Sequence, residues 1–209
     1  SEQISAMKRA AELPPVVALG ASTGGPDALI VVLGALPTGF PAAVLVAQHI
    51  AAEFVGVLRL EDRTLMELHW YERAILTDYF GGAMETLVLI PKKNGKTTLV
   101  AALMLFHMLV TPDCYCVVAA ASIKQAGTLY RQATGFVKRS GLGSWFVIRA
   151  GTREIRSEFD EGLIQVLAAD ADTADGVIPT LAIVDELHRH KSADLYHVFR
   201  DGLTPRSGQ

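Results

Sequence analysis

The sequence predicts an α/β fold with a mostly parallel sheet flanked by helices, and three observations carry the prediction. First, short and continuously apolar runs (VVALG at 16–20, AAVLVAQHI at 42–50, TLVLIP at 86–91, YCVVAAAS at 115–122, TLAIVDE at 180–186) alternate with longer helical stretches. Such runs are expected of strands covered on both faces. Second, the connections between them are helical and short, which makes the crossovers right-handed and the strands parallel. Third, 209 residues at 50% hydrophobic and 20% charged are enough for one domain of moderate size, or one domain plus a fragment. That apolar content excludes disorder, and 18 Gly and 9 Pro without a period exclude collagen-like classes. A net charge of −3 gives no global attraction to nucleic acid. No apolar stretch reaches the roughly 20 residues a bilayer needs, and SEQISAMKRAAELPP has no signal-peptide core. Cys114 and Cys116 read as free thiols packed in the core, so a soluble protein of a reducing cytoplasm is expected.

Residues 16–50 read as one strand–helix–strand unit, with the turn ASTGG before a helix that opens near Pro26 and closes at Gly34 and Pro37. LHWYERAILTDYF (68–80) is helical, with Leu68, Tyr71, Ile75, Leu76 and Tyr79 near one side. TLVLIP is a buried strand leading into the loop KKNGKT. TLVAALMLFHMLV follows as a helix apolar on almost all faces, which belongs in the middle of a structure. YCVVAAAS is a second buried strand of this half, covered by the more polar helix IKQAGTLYRQATGFVKR. WFVIR, REIRS and LIQVLAA are strands with a hairpin among them. TLAIVDE is a buried strand ending in two carboxylates, and a short helix starts from Ser192. No repeat and no Pro/Gly/Ser-rich linker divides the chain.

The chemistry concentrates where a buried strand meets Asn94-Gly95-Lys96-Thr97-Thr98 and a helix begins. Free backbone N–H groups and the dipole at a helix start bind phosphate oxygens. Lys96 would meet the β/γ-phosphates of a nucleotide and the Thr97 hydroxyl would ligate Mg2+. The general G-x-x-x-x-G-K-[ST] pattern (Walker A) is incomplete, since its first Gly position holds Ile90. The complementary half lies about ninety residues on, where an apolar strand ends at Asp185-Glu186 as a Walker B strand does. Asp185 is placed to hold Mg2+, and Glu186 to act as general base on an attacking water. Carboxyl ends of parallel strands line one crevice, so both halves should face the same edge.

PKKNGKT, VVAAASIKQAGTLYRQA and TLAIVDELHRHKSADLYHVFRDGL, over residues 53–209, resemble the ATPase domain of tailed-phage terminase large subunits, the DNA-packaging motors. That family lacks the first Walker A Gly and carries a basic residue three positions before the second, here Lys92. The resemblance implies a P-loop NTPase fold, ATP and Mg2+ as ligands, and Lys92 responding to the γ-phosphate. Its partners would be double-stranded DNA and other motor subunits. The resemblance also puts Tyr71 and Glu72 at the adenine, where the family has an aromatic and then Gln. Glu72 accepts from an adenine amino group but cannot also donate to a ring nitrogen. The sequence ends at LTPRSGQ, so the family's next strand and its nuclease domain are expected to be lacking.

GASTGG (20–25) and AAVLVAQHI resemble the opening of chemotaxis-type (CheB-type) protein-glutamate methylesterases, over residues 15–50. The resemblance makes Ser22 the nucleophile and His49 its base, with a methylated chemoreceptor as partner. Both end neighbouring strands, about 5 Å apart, and Ser22 opens a helix whose N–H groups would stabilise an oxyanion. The orienting Asp of that family's triad is expected to be missing. The expected organisation is therefore a chimera: a methylesterase-like fragment over 1–52 and a terminase-like ATPase domain over 53–209. A folded but inactive chimera is the remaining alternative. His107 reads as a core histidine, and His188, His190 and His197 lack the spacing of a zinc site. Lys124, Arg131, Lys138, Arg139, Arg149, Arg153 and Arg156 read as a solvated face rather than a DNA-facing patch.

Overall fold

A computed structural model describes residues 51–80, 85–91, 93–120, 123–167, 178–190 and 192–202. The expected strand–helix–strand unit over 16–50 lies outside the described residues, as do Ser22, His49 and Lys92. The chain divides into two compact units between Asn94 and Gly95.

In the first unit, helical residues 51–56 bury Phe54 and Val55, and Leu58 is buried just beyond them. A tight reversal follows. Arg59 and Leu65 form an antiparallel bridge, Arg63 takes a left-handed φ of 68°, and the Asp62 carboxylate accepts from both the amide and the hydroxyl of Thr64. Helix α1 (Trp70–Phe80) matches the expected span within two residues. Glu72, three residues into it, turns its carboxylate back to accept the His69 amide at 2.8 Å, the return half of a capping box.

One expectation fails here. Residues 85–90 form no strand, and Leu87 and Leu89 are 70% and 82% exposed. An apolar run favours burial, but a strand exists only where a neighbour completes its ladder. Among the described residues none pairs with this segment.

The second unit opens with helix α2 (Lys96–Val110), continues through β1 (Tyr115–Ala120) and α3 (Ile123–Arg139), and then enters an antiparallel meander. The meander consists of β2 (Phe146–Arg149), β3 (Glu154–Ser157) and β4 (Leu163–Val166). β5 (Leu181–Asp185) and helix α4 (Asp194–Gly202) complete it. The five strands run in the order β2-β3-β4-β1-β5. β1 is parallel to β4 and β5, whereas β3 is antiparallel to β2 and β4. The sheet is thus mixed, and its antiparallel half is the hairpin region the sequence suggested.

α3 buries Ala126, Leu129, Tyr130, Ala133, Phe136 and Val137, the stripe of an amphipathic helix. α2 is buried nearly all round, as its composition demands. These two helices pack on each other and on β1. On the other face, Leu195 and Phe199 of α4 cover Val117 and Ala119, with Ala182 and Val184 of β5 beside them. Alternation then turns Cys116, Val118 and Ala120 toward α2 and α3. Cys114 and Cys116 are buried thiols outside any disulfide, and burial pushes the Cys116 thiol well above its usual range. β5 is half-buried along its length, not fully buried as its composition suggested.

Candidate functional site

The site begins with register. Asp185 is the last residue of β5 and pairs with Ala120, the last of β1, so the acid ends the strand at the carboxyl edge of the parallel half-sheet. Its parity within β5 puts it on the face toward α2. Lys96 is the first residue of α2, and its Nζ lies 3.2 Å from Asp185 Oδ1. Their side chains are 32% and 19% exposed, open enough for a ligand yet partly desolvated. Asp185 Oδ1 also accepts the Glu186 amide at 3.0 Å.

Gly95 precedes the helix with φ 73°, ψ 0°, a left-handed geometry in which any side chain would be strained. The first rung of α2 is the Leu99 amide donating to the Gly95 carbonyl at 2.8 Å. The amides of Lys96, Thr97 and Thr98 come before that rung and have no intrahelical acceptor. With the helix dipole they form an anion-accepting end, directly beside a lysine and a carboxylate.

Glu186 adopts φ 53°, ψ 47° and leads into a 3-10 turn (Leu187–Arg189). A non-glycine residue held in this region costs about 1–3 kcal/mol, and such positions gather at functional sites. Arg189 Nε lies 3.9 Å from Glu186 Oε2, half-exposed and therefore a weak pairing. His190 Nε2 sits 3.2 Å from the Asp185 carbonyl oxygen. Sequence reasoning weighed His190 only as a zinc ligand. Its contact to the strand end depends on the intervening turn and left no mark in spacing. A hollow of about 330 Å³ lies beside it, lined by Leu187, His190, Ser192, Ala193 and Tyr196.

The remaining candidates belong to the first unit. The Tyr71 hydroxyl donates to the Asn94 carbonyl at 3.3 Å, and Asn94 Nδ2 donates to the Pro91 carbonyl at 3.3 Å. Glu72 is 2% exposed and engaged with the His69 amide, so its carboxylate already holds a structural partner. Lys93, in the same loop as Asn94, takes φ 69°.

No group of three or more His, Cys, Asp or Glu converges among the described residues. The donor set of hydroxyl, single carboxylate, lysine and free amides suits Mg2+ carried with phosphates rather than a metal caged by protein. Of the basic residues after β1, Arg156 donates to the Glu154 carboxylate at 2.9 Å, Arg131 donates to Thr128, and Arg139 lies over the Phe136 ring. No helix among the described residues is long and apolar enough to cross a membrane.

Comparison with known proteins divides the chain in two. Residues 17–74 match the CheB methylesterase family. A protein-glutamate methylesterase/protein-glutamine glutaminase of Burkholderia thailandensis is 55% identical over 51 residues, 24% of this chain and 15% of that protein. One of Nitratidesulfovibrio vulgaris is 58% identical over 41 residues, 20% of this chain and 11% of that protein. The chain thus spans under a fifth of the length of these relatives. Among solved structures, the large terminase of bacteriophage HK97 superposes with TM-score 0.59 at 21% identity, covering 66% of this chain and 30% of that one. The large terminase ATPase domain of Thermus phage P74-26 gives TM-score 0.58 at 14% identity, over 72% and 62%. These likenesses show the fold, a mixed α/β sheet flanked by helices like those of the two terminases. The terminase large subunit ATPase domain family matches residues 71–209. That stretch runs from the Tyr71 helix through both halves of the site, and it makes the chain a member of that family.

Proposed function

We propose that this chain binds and hydrolyses ATP with Mg2+ as part of a DNA-packaging motor, using one site at the carboxyl edge of the sheet. The observation that carries the reading is the 3.2 Å contact between Lys96 Nζ and Asp185 Oδ1, which joins the two half-sites that the sequence separates. Lys96 and the amides of Lys96, Thr97 and Thr98 bind phosphate oxygens, with Gly95 and Asn94 shaping the turn and Lys92 answering the γ-phosphate. The Thr97 hydroxyl and the Asp185 carboxylate hold Mg2+, which when bound offsets charge on the phosphates. Glu186 takes the proton of the attacking water. By the family resemblance Tyr71 and Glu72 serve the base, and the Glu72 carboxylate keeps lone pairs beside the His69 amide with which to accept from its amino group. Lys96 and Asp185 neutralise each other in their ion pair, and bound phosphate and Mg2+ would give each its own charge partner.

The test is a thermal melt with and without Mg2+–ATP, beside Lys96→Ala. A ligand at one hundred times its Kd stabilises a two-state fold by about 2.7 kcal/mol, a rise of several degrees for a chain of this size. The rise is expected in the wild type and not in the variant. Equal curves for all four samples would sink the reading.

A second reading is favoured by the 55% identity over 51 residues to a methylesterase. In it Ser22 and His49 hydrolyse methyl esters of receptor glutamates. A fluorophosphonate probe that labels Ser22 in the folded protein, and not Ser22→Ala, supports it.

A further inference from the structure

The polar cluster at the opposite end of α2 has no part in phosphate binding, yet it joins the same two elements. His107 is 8% exposed, and its Nε2 lies 3.0 Å from Thr180 Oγ1. Thr180 stands immediately before β5. Its hydroxyl oxygen accepts the Tyr115 amide at 3.0 Å and lies 3.2 Å from the Tyr115 carbonyl, while its own amide donates to that carbonyl at 2.8 Å. Thr111 Oγ1 sits 3.4 Å from His107 Nδ1.

A donor count fixes how this cluster works. A hydroxyl has one proton to give and two lone pairs to receive. If Nε2 carries the imidazole proton, Thr180 Oγ1 accepts from Tyr115 N–H and His107 Nε2–H and donates to the Tyr115 carbonyl. Nδ1 is then left to accept from Thr111. Each of these contacts has a donor and an acceptor in this tautomer. Burial lowers the His107 pKa to about 4, which keeps the ring neutral as the scheme needs.

The two ends also match in length. From Lys96 to His107 α2 advances eleven residues, about 16 Å at helical rise. From Thr180 to Asp185 the strand advances five residues, again about 16 Å at strand rise. Helix and strand run in opposite directions, so the His107–Thr180 bond at one end leaves Lys96 and Asp185 level at the other.

We infer that His107 and Thr180 are positioning residues, a pin that sets the register of the phosphate-loop helix against the acid-bearing strand and so places Lys96 opposite Asp185. This rests on the reading of Lys96 and Asp185 as nucleotide and metal groups. The physical reason for a pin is that the rest of α2 is apolar. Apolar packing is non-directional and tolerates sliding, whereas a buried hydrogen bond tolerates none. A site needs its groups held within about 0.5 Å.

The experiment compares the wild type with Thr180→Val, Thr180→Ser and His107→Leu, each at a temperature where its melt shows it folded. One readout is hydrogen–deuterium exchange in nucleotide-free protein at two amides remote from the changed bond: Leu99, about 12 Å along α2 from His107, and Glu186, just past the far end of β5. The other is the Kd of a non-hydrolysable ATP analogue with Mg2+. Thr180→Val and His107→Leu are expected to speed exchange at both amides and to raise Kd about tenfold, while Thr180→Ser stays within about twofold on both. Removing both partners together should cost no more than the worse single change, since they share one bond. Exchange changes confined to residues 107–115 and 180, with Kd unmoved, would reduce the cluster to local packing and overturn the inference. If even the wild type binds no analogue, the ATPase reading fails instead, and exchange at Leu99 and Glu186 alone decides the pin. Should one variant fail to fold, the other tests the same bond from its opposite partner.

Discussion

His107 makes its own test at neutral-to-acid pH. Its pKa stands at about 4, below the 6.5 of the unfolded chain, and burial is the cause. Between these values the unfolded chain holds more protons than the folded one, so stability is complete above about pH 6.5 and falls as pH drops toward 4. Each unit of pH in that window costs about 1.4 kcal/mol, and the whole shift corresponds to about 3 kcal/mol. Urea melts of wild type and His107→Gln between pH 7 and 4.5 should converge as pH falls, because only the wild type loses this term. Parallel curves would contradict it. At this scale the sequence singled out Lys96 and Asp185, through G-K-T before an apolar helix and D-E after an apolar strand, and the fold brings the two side chains within 3.2 Å. Glu72 carries a contact that the sequence did not single out: three residues after His69, it accepts that backbone amide as a helix cap does. His190 escaped for the related reason that its partner is a backbone carbonyl, which no residue type signals.

Among the elements, helices were read best, since α1, α2 and α3 carry their periodicity or apolarity within themselves. Strands depend on neighbours, and there the reading was uneven. β1 and β5 are strands, as their composition suggested, and lie side by side, while the equally apolar 85–90 segment pairs with nothing described. The meander was expected as strands, but its antiparallel sense follows from short reversals that composition only hinted at. One of these reversals makes a sharp prediction. Gly162 donates its amide to Asp160 Oδ1 at 3.0 Å and accepts from the Ser157 amide at 2.9 Å, closing the β3–β4 turn. A Cβ there would lie 2.8 Å from Asp160 Oδ1, 3.2 Å from Ser157 Cβ and 3.3 Å from Met108 Cγ. Gly162→Ala should therefore cost about 1–3 kcal/mol by crowding, visible as a lower urea midpoint with an unchanged slope. On the opposite face Phe199→Ala uncovers Val117 and Ala119 and should cost about 3–5 kcal/mol. A loss under 1 kcal/mol in that variant would mean that α4 adds little to the core of the second unit.

For the whole molecule, the sequence already displayed two family likenesses meeting in one chain, and the comparisons bear both out over residues 17–74 and 71–209. Their inequality sets the final prediction. The terminase family covers two thirds of the chain and includes both Lys96 and Asp185, whereas the methylesterases of Burkholderia thailandensis and Nitratidesulfovibrio vulgaris are matched over 15% and 11% of their length. A serine–histidine pair depends on an orienting acid to hold the imidazole in the right tautomer, a contribution of about ten-thousandfold in rate. Phosphate binding at a helix start suffers no such dependence, because its donors are consecutive amides and a lysine of the same element. One sample should therefore answer in two ways. Mg2+–ATP should raise the melting temperature through Lys96, while fluorophosphonate should label Ser22 no faster than in a denatured control. Rapid labelling of Ser22 with no nucleotide shift would reverse the assignment. It would mean that the shorter match carries the working chemistry and that the Lys96–Asp185 pair is a structural ion pair.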